Sequence, residues 1–117
     1  MTYKQGFLVM FNLLDNYYFE DTSNDDLANI LSNMNPSIFA DGEPADPAYW
    51  ADWERILGEK SIKEPMNADE LLDGVFAFLE FYQKEFEFDL GDVLKMVKGL
   101  SKESEILIKC MIQVESK

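Results

Sequence analysis

The side chains best placed to do chemistry in this chain are carboxylates. Asp41, Glu43, Asp46 and Asp52 cluster in one stretch, and acids at such short spacing bring a calcium loop to mind. An EF-hand register begun at Asp41 fails. Its fifth position falls on Ala45, its sixth on Asp46 where a glycine must make the turn, and its last on Asp52 in place of a bidentate glutamate. Zinc needs imidazole or thiolate ligands, and the chain has no histidine and one cysteine, Cys110. The missing imidazole also removes every Ser–His or Cys–His nucleophile pair. Two carboxylates can hydrolyse a glycosidic bond, but 117 residues with no cleft-building second domain speak against it. The six glycines are scattered singly, so no loop is built to cradle phosphate. The expectation is a protein that is not an enzyme and takes no metal and no cofactor.

Charge says more about partners. The formal net charge is −13, and residues 1–54 hold ten acids against a single base, Lys4. Such a field repels nucleic acid and anionic membrane and attracts basic protein surfaces. The lone Cys110, set among Ile108, Met111 and Ile112, has no partner for an internal bridge and reads as a small buried hydrophobe in a reducing compartment. No run approaches the roughly 18 apolar residues of a membrane span, and the apolar Phe7–Phe11 stretch is followed by Asn12 and Asp15 with no cleavage-site pattern. A cytoplasmic protein is expected, with 1–117 as a single domain.

The elements that must carry these groups are helical. Tyr3, Phe7, Met10, Phe11, Leu14, Tyr17 and Tyr18 recur at threes and fours over about 2–20, with Thr2 as a cap and Gly6 tolerated near a frayed end. Asp15, Glu20 and Asp21 sit where acids oppose the helix dipole, which suggests that their charge serves another purpose. A short helix with Asp25 and Asp26 in its first turn buries Leu27, Ile30, Leu31 and Met34 and ends at Asn35-Pro36. Asp46-Pro47 opens a third helix, Pro47–Leu57, halted at Gly58, with Trp50, Trp53, Ile56 and Leu57 on one face. Of the two indoles, Trp53 is the better core candidate and Trp50 the better partner contact. Asn67 and Glu70 form a capping box for Ala68–Phe86. There the stripe Leu71, Leu72, Val75, Phe76, Leu79, Tyr82 and Phe86, widened by Phe78 and Phe81, implies a helix covered on more than one side.

Leu90–Lys98 is a fifth helix ending at Gly99. Residues 103–115 fit two patterns. Ile106, Leu107, Cys110, Met111 and Val114 lie on a helical face, whereas Ile106, Ile108, Cys110, Ile112 and Val114 alternate as a strand would. Helix is favoured, because a lone strand has nothing to pair with. The fold class expected is therefore all-α, a bundle of five to six helices.

The stretch Asn35–Trp53 carries a likeness. Leu27, Met34, Asn35-Pro36, Phe39, Asp41-Gly42, Ala45-Asp46-Pro47-Ala48, Trp50 and Asp52-Trp53, with a weaker echo in Phe78-Leu79-Glu80-Phe81-Tyr82 and Phe88-Asp89-Leu90, resemble small acidic bacterial immunity proteins of contact-dependent growth inhibition and related polymorphic toxin systems. The resemblance implies a role without an active site: one-to-one binding and neutralisation of a cognate toxin domain. Many such toxins are nucleases with basic clefts, which a dense acidic surface can occupy by imitating the phosphate chain. The expected partner surface is Asp41, Glu43, Asp46 and Asp52, joined by Tyr18, Glu20, Asp21 and Trp50. The competing reading is an acidic helical adaptor or regulatory module for another basic protein. Oligomeric state is left open.

Overall fold

Each of the first four helices starts where a side-chain oxygen meets an amide that the helix itself leaves unbonded. The computed structural model describes residues 1–35 and 46–116. Thr2 Oγ accepts from the Gln5 N–H while Gln5 Oε1 accepts from the Thr2 N–H, and α1 (Tyr3–Glu20) follows. Asn24 caps α2 (Asp25–Met34) through the Leu27 N–H, and Asp46 caps α3 (Pro47–Glu59) through the Ala48 N–H. The reciprocal box of Asn67 and Glu70 opens α4 (Ala68–Phe86). The last two, α5 (Gly91–Lys98) and α6 (Glu105–Glu115), begin without a side-chain cap. The described residues thus form an all-α bundle of six helices with no strand.

Of the segment 103–115, Glu105–Glu115 is helix, and its buried residues, Leu107, Cys110 and Val114, fall three and four apart. The residues that a strand would have buried, Ile108 and Ile112, are exposed. Helix α3 passes through Gly58 to Glu59, so glycine is not its stop. The reversal is made two residues later by Ser61, which takes the left-handed φ of 57°.

Helix α1 packs against α6, α2 and α3, and α4 lies between α3 and α5. With three neighbours, α1 buries more than its sequence stripe suggests: Val9 and Leu13 are as inaccessible as Met10 and Leu14. On α3 the buried set is Tyr49, Trp53, Ile56 and Leu57, an i, i+4, i+7, i+8 face that leaves Trp50 half-buried at its edge. On α4, Phe78 is fully inside whereas Phe86 is more than half exposed, the reverse of their expected ranks.

Trp53 is the centre of this interior. Its indole N–H donates to the Tyr3 carbonyl at 2.9 Å, and the rings of Phe7 and Phe78 meet it edge-on at 6.4 and 5.9 Å. Two glycines admit it. A Cβ on Gly74 would stand 2.7 Å from Leu57 Cδ2 and 3.1 Å from Trp53 Cη2, and one on Gly6 would strike the Met66 methyl. Gly6 is therefore a packing position, and the start of α1 is pinned rather than frayed. The Met66 N–H donates to the Met1 carbonyl, the Tyr3 N–H to Glu64, and the Tyr3 hydroxyl to the Ile62 carbonyl.

Candidate functional site

One end of the bundle gathers acids from three parts of the chain. Asp21 ends α1, Asp25 and Asp26 open α2, Asp89 precedes α5 and Asp92 lies in its first turn. Together they border an open concavity of about 340 Å³, with Tyr17, Ser23 and Asn24 also in its wall and no lysine or arginine among the described residues that line it.

Local chemistry explains how like charges come to share this place. Asp25, Asp26 and Asp92 sit at helix N-termini, where unbonded amides carry partial positive charge and favour carboxylates by a few tenths to about 1 kcal/mol each. Hydrogen bonds then fasten the two turns together. Asn24 Nδ2 donates to the Asp89 carbonyl at 2.9 Å, and the Asp89 N–H donates to Asp26 Oδ2 at 2.7 Å. The Leu90 N–H donates to Gln83 Oε1 at 3.1 Å, which fixes the second turn to α4. Asp21 accepts from the Ser23 hydroxyl at 2.6 Å and from its N–H at 3.2 Å. Those donors favour the ionised form and hold the Asp21 carboxyl below its usual range. The Tyr17 hydroxyl is pushed the other way, first by burial and then by the negative field of Asp92 and Asp21. The concavity is thus an anionic surface at neutral pH. Among the described residues no group of three or more acids converges closely enough to hold a metal ion.

The residues expected from sequence divide into three sets. Asp21 is part of this rim, whereas exposed Glu20 and half-buried Tyr18, on the last turn of α1, are not among the residues that line it. Asp46, Trp50 and Asp52 belong to α3, away from the concavity, and each is engaged by the fold. Asp46 caps its helix and donates its backbone N–H to Asn33 at 2.9 Å, and Trp50 meets the Phe7 ring edge-on at 5.7 Å. Asp52 accepts the Tyr82 hydroxyl at 2.6 Å and pairs with Arg55 at 3.5 Å. Asp41 and Glu43 lie outside the described residues.

Comparison with known proteins finds no matching family model, no matching curated protein and no matching solved structure. No described helix is long and apolar enough to cross a membrane.

The acids of this rim that sequence reasoning did not assign to a surface are Asp25, Asp26, Asp89 and Asp92. The first pair is explained locally by the helix dipole at the start of α2, and Asp89 and Asp92 lie more than sixty positions further along the chain. The one sequence signal was indirect. Asn24 and the break at Phe86–Asp89 both mark turns, but nothing in either says that the turns touch.

A second feature lies where α4 ends. Phe86 stacks on Tyr82 at 5.1 Å and on Phe88 at 5.7 Å, and Tyr82 stacks in turn on Tyr49 at 4.6 Å. Arg55 lies over the neighbouring Phe81 ring, 4.6 Å from its centroid.

Proposed function

We propose that this chain is an immunity-type inhibitor, a protein that binds a basic toxin domain of nuclease class one-to-one and neutralises it without transforming any molecule itself. The observation that carries the reading is the concavity bordered by Asp21, Asp25, Asp26, Asp89 and Asp92 with no cation among the described residues that line it. A carboxylate cluster left without counter-charge raises the self-repulsion of the fold and is useful when a partner supplies the missing positive charge. The net charge of −13 extends the same field over the molecule. The likeness of Asn35–Trp53 to immunity proteins supports the same role.

Complementary fields of this kind act mainly on encounter, raising association rates that fall steeply with salt. The test is co-expression with the product of the adjoining gene. Restored growth, a one-to-one complex on size-exclusion chromatography and an association rate that falls with ionic strength are expected. A complex whose association ignores salt, or growth arrest unaffected by the chain, would overturn the reading.

The alternative, an acidic helical adaptor, is favoured by a different observation. A cleft of about 510 Å³ between α4 and α5 has an apolar floor of Leu72, Phe76, Val97 and Leu100 and a rim of both signs, Asp69, Asp73, Lys60 and Lys98. Such a groove suits an amphipathic segment. A partner that protects this cleft, and leaves the acidic end open to solvent, would select the adaptor.

A further inference from the structure

We propose that the aromatic terrace at the C-terminal end of α4, formed by Phe86 with Phe81 and Phe88, is a docking site for an arginine side chain of the basic partner. The proposal rests on reading that partner as a basic protein, and adds where and by which residue type it is anchored.

Phe86 is 54% exposed, unusual for so large an apolar ring, yet it is not loose. It lies nearly parallel to Tyr82, with 18° between the planes, and Tyr82 is itself buried and tied through its hydroxyl to Asp52. Phe88 lies within 29° of parallel to Phe86 at 5.7 Å between centroids, and Phe81 stands edge-on at 6.5 Å. What returns Phe88 to Phe86 is Glu87, which adopts the left-handed conformation at φ 56°, ψ 33°. A non-glycine residue held there is a backbone cost that the surrounding structure must sustain, and such positions concentrate at functional sites. The exposed ring is therefore preorganised, the condition that makes an aromatic residue an effective anchor.

Charge and chemistry specify the occupant. Between positions 80 and 92 the chain places Glu80, Glu85, Glu87, Asp89 and Asp92 against one base, Lys84. Both sequence neighbours of Phe86 are exposed glutamates. An exposed aromatic ring within an acidic stretch suits a planar cation that can stack and form hydrogen bonds at once, which a guanidinium does and an ammonium does less well. The molecule holds an example next door. Arg55, its one arginine, lies over Phe81 while pairing with Glu59 at 3.0 Å and Asp52 at 3.5 Å. An arginine arriving over Phe86, between Glu85 and Glu87, would repeat that arrangement with partner atoms.

The experiment titrates the full chain with two short peptides, one alternating arginine and glycine and the other lysine and glycine, by calorimetry and by NMR shift mapping. The arginine peptide is expected to bind about two- to fivefold more tightly, the range that an exposed cation–aromatic contact supplies, with the largest shifts at Phe86 and Phe88. Phe86→Ala and Phe86→Leu should both abolish the preference while leaving lysine-peptide binding unchanged. The leucine variant keeps apolar bulk and guards against a loss caused by altered packing. Equal, salt-sensitive binding of both peptides, or a preference that survives both variants, would overturn the terrace and leave the acidic surface standing. Absence of salt-sensitive binding by either peptide would overturn both.

Discussion

Around Trp53 the rings of Phe7 and Phe78 stand edge-on to the indole, and its N–H is bonded to a backbone carbonyl. Around Asp89, four more carboxylates border one open concavity, with no cation among the described residues of its wall. The first region is built from complementary contacts within the chain, the second from like charges whose complement must come from outside. They also differ in what holds them. Trp53 is fixed by burial between α1 and α4, the acidic rim by a few turn hydrogen bonds at the ends of α1, α2 and α4. The contrast teaches that stability and charge display are assigned to different parts of the molecule, so that each should respond to its own substitutions.

The strongest attack on that division is Trp53→Ala. It should lower unfolding free energy by about 3–5 kcal/mol, read as a shifted urea midpoint, with a loss near zero breaking the contrast at once. Next is Gly74→Ala, which inserts a methyl against Leu57 and Trp53. Overpacking costs of about 1–3 kcal/mol, less about 1 kcal/mol of helix propensity gained on replacing glycine, leave a net loss of about 0–2 kcal/mol. A stabilised variant would mean that the Trp53 pocket yields more readily than its fixed indole suggests.

Tyr82→Phe examines the border between the regions, because the Tyr82 hydroxyl reaches outward to Asp52. About 1 kcal/mol should be lost at neutral pH, with Asp52 keeping Arg55 and water as partners. Alkali sharpens the point. Burial, and then the bond to Asp52, raise the Tyr82 pKa in the folded state above the ordinary 10.0. The folded protein thus holds a proton that the unfolded chain releases. That contribution is fully present below pH 10.0 and is lost as pH climbs above it, so the phenylalanine variant should show a shallower decline. The smallest effect is expected at the rim. Asp89→Asn, alone or with Asp92→Asn, should change stability by no more than about 0.5 kcal/mol while slowing association with a basic partner. A loss of several times that amount would mean that the acids are structural after all.

The helices were legible because their signals are local. Asp46-Pro47, the Asn67–Glu70 box and the 3.6-residue stripes locate α2, α3 and α4 within a residue or two. Where the sequence misled, tertiary packing decided. Gly6 looks permissive until Met66 is laid across it, and Gly58 looks like a stop until Ser61 takes the turn. Phe78 and Phe86 lie on neighbouring lines of one helix, and only the position of α3 says which faces inward. The acidic site shows the same limit. Asp21 was marked by its unfavourable place at a helix end, whereas Asp25 and Asp26 were hidden by a sufficient local explanation. Asp89 and Asp92 gain their meaning from a contact across the fold.

The unequal settings of the two tryptophans give the molecule a built-in optical reporter. Sealed from solvent, Trp53 should emit at short wavelength and resist acrylamide, whereas half-buried Trp50 should emit further to the red and be quenched. Iodide, repelled by the acidic field, should quench Trp50 less than neutral acrylamide does. A ligand settling on the α3 edge would thus dim or shift one component of the emission and leave the other as an internal standard.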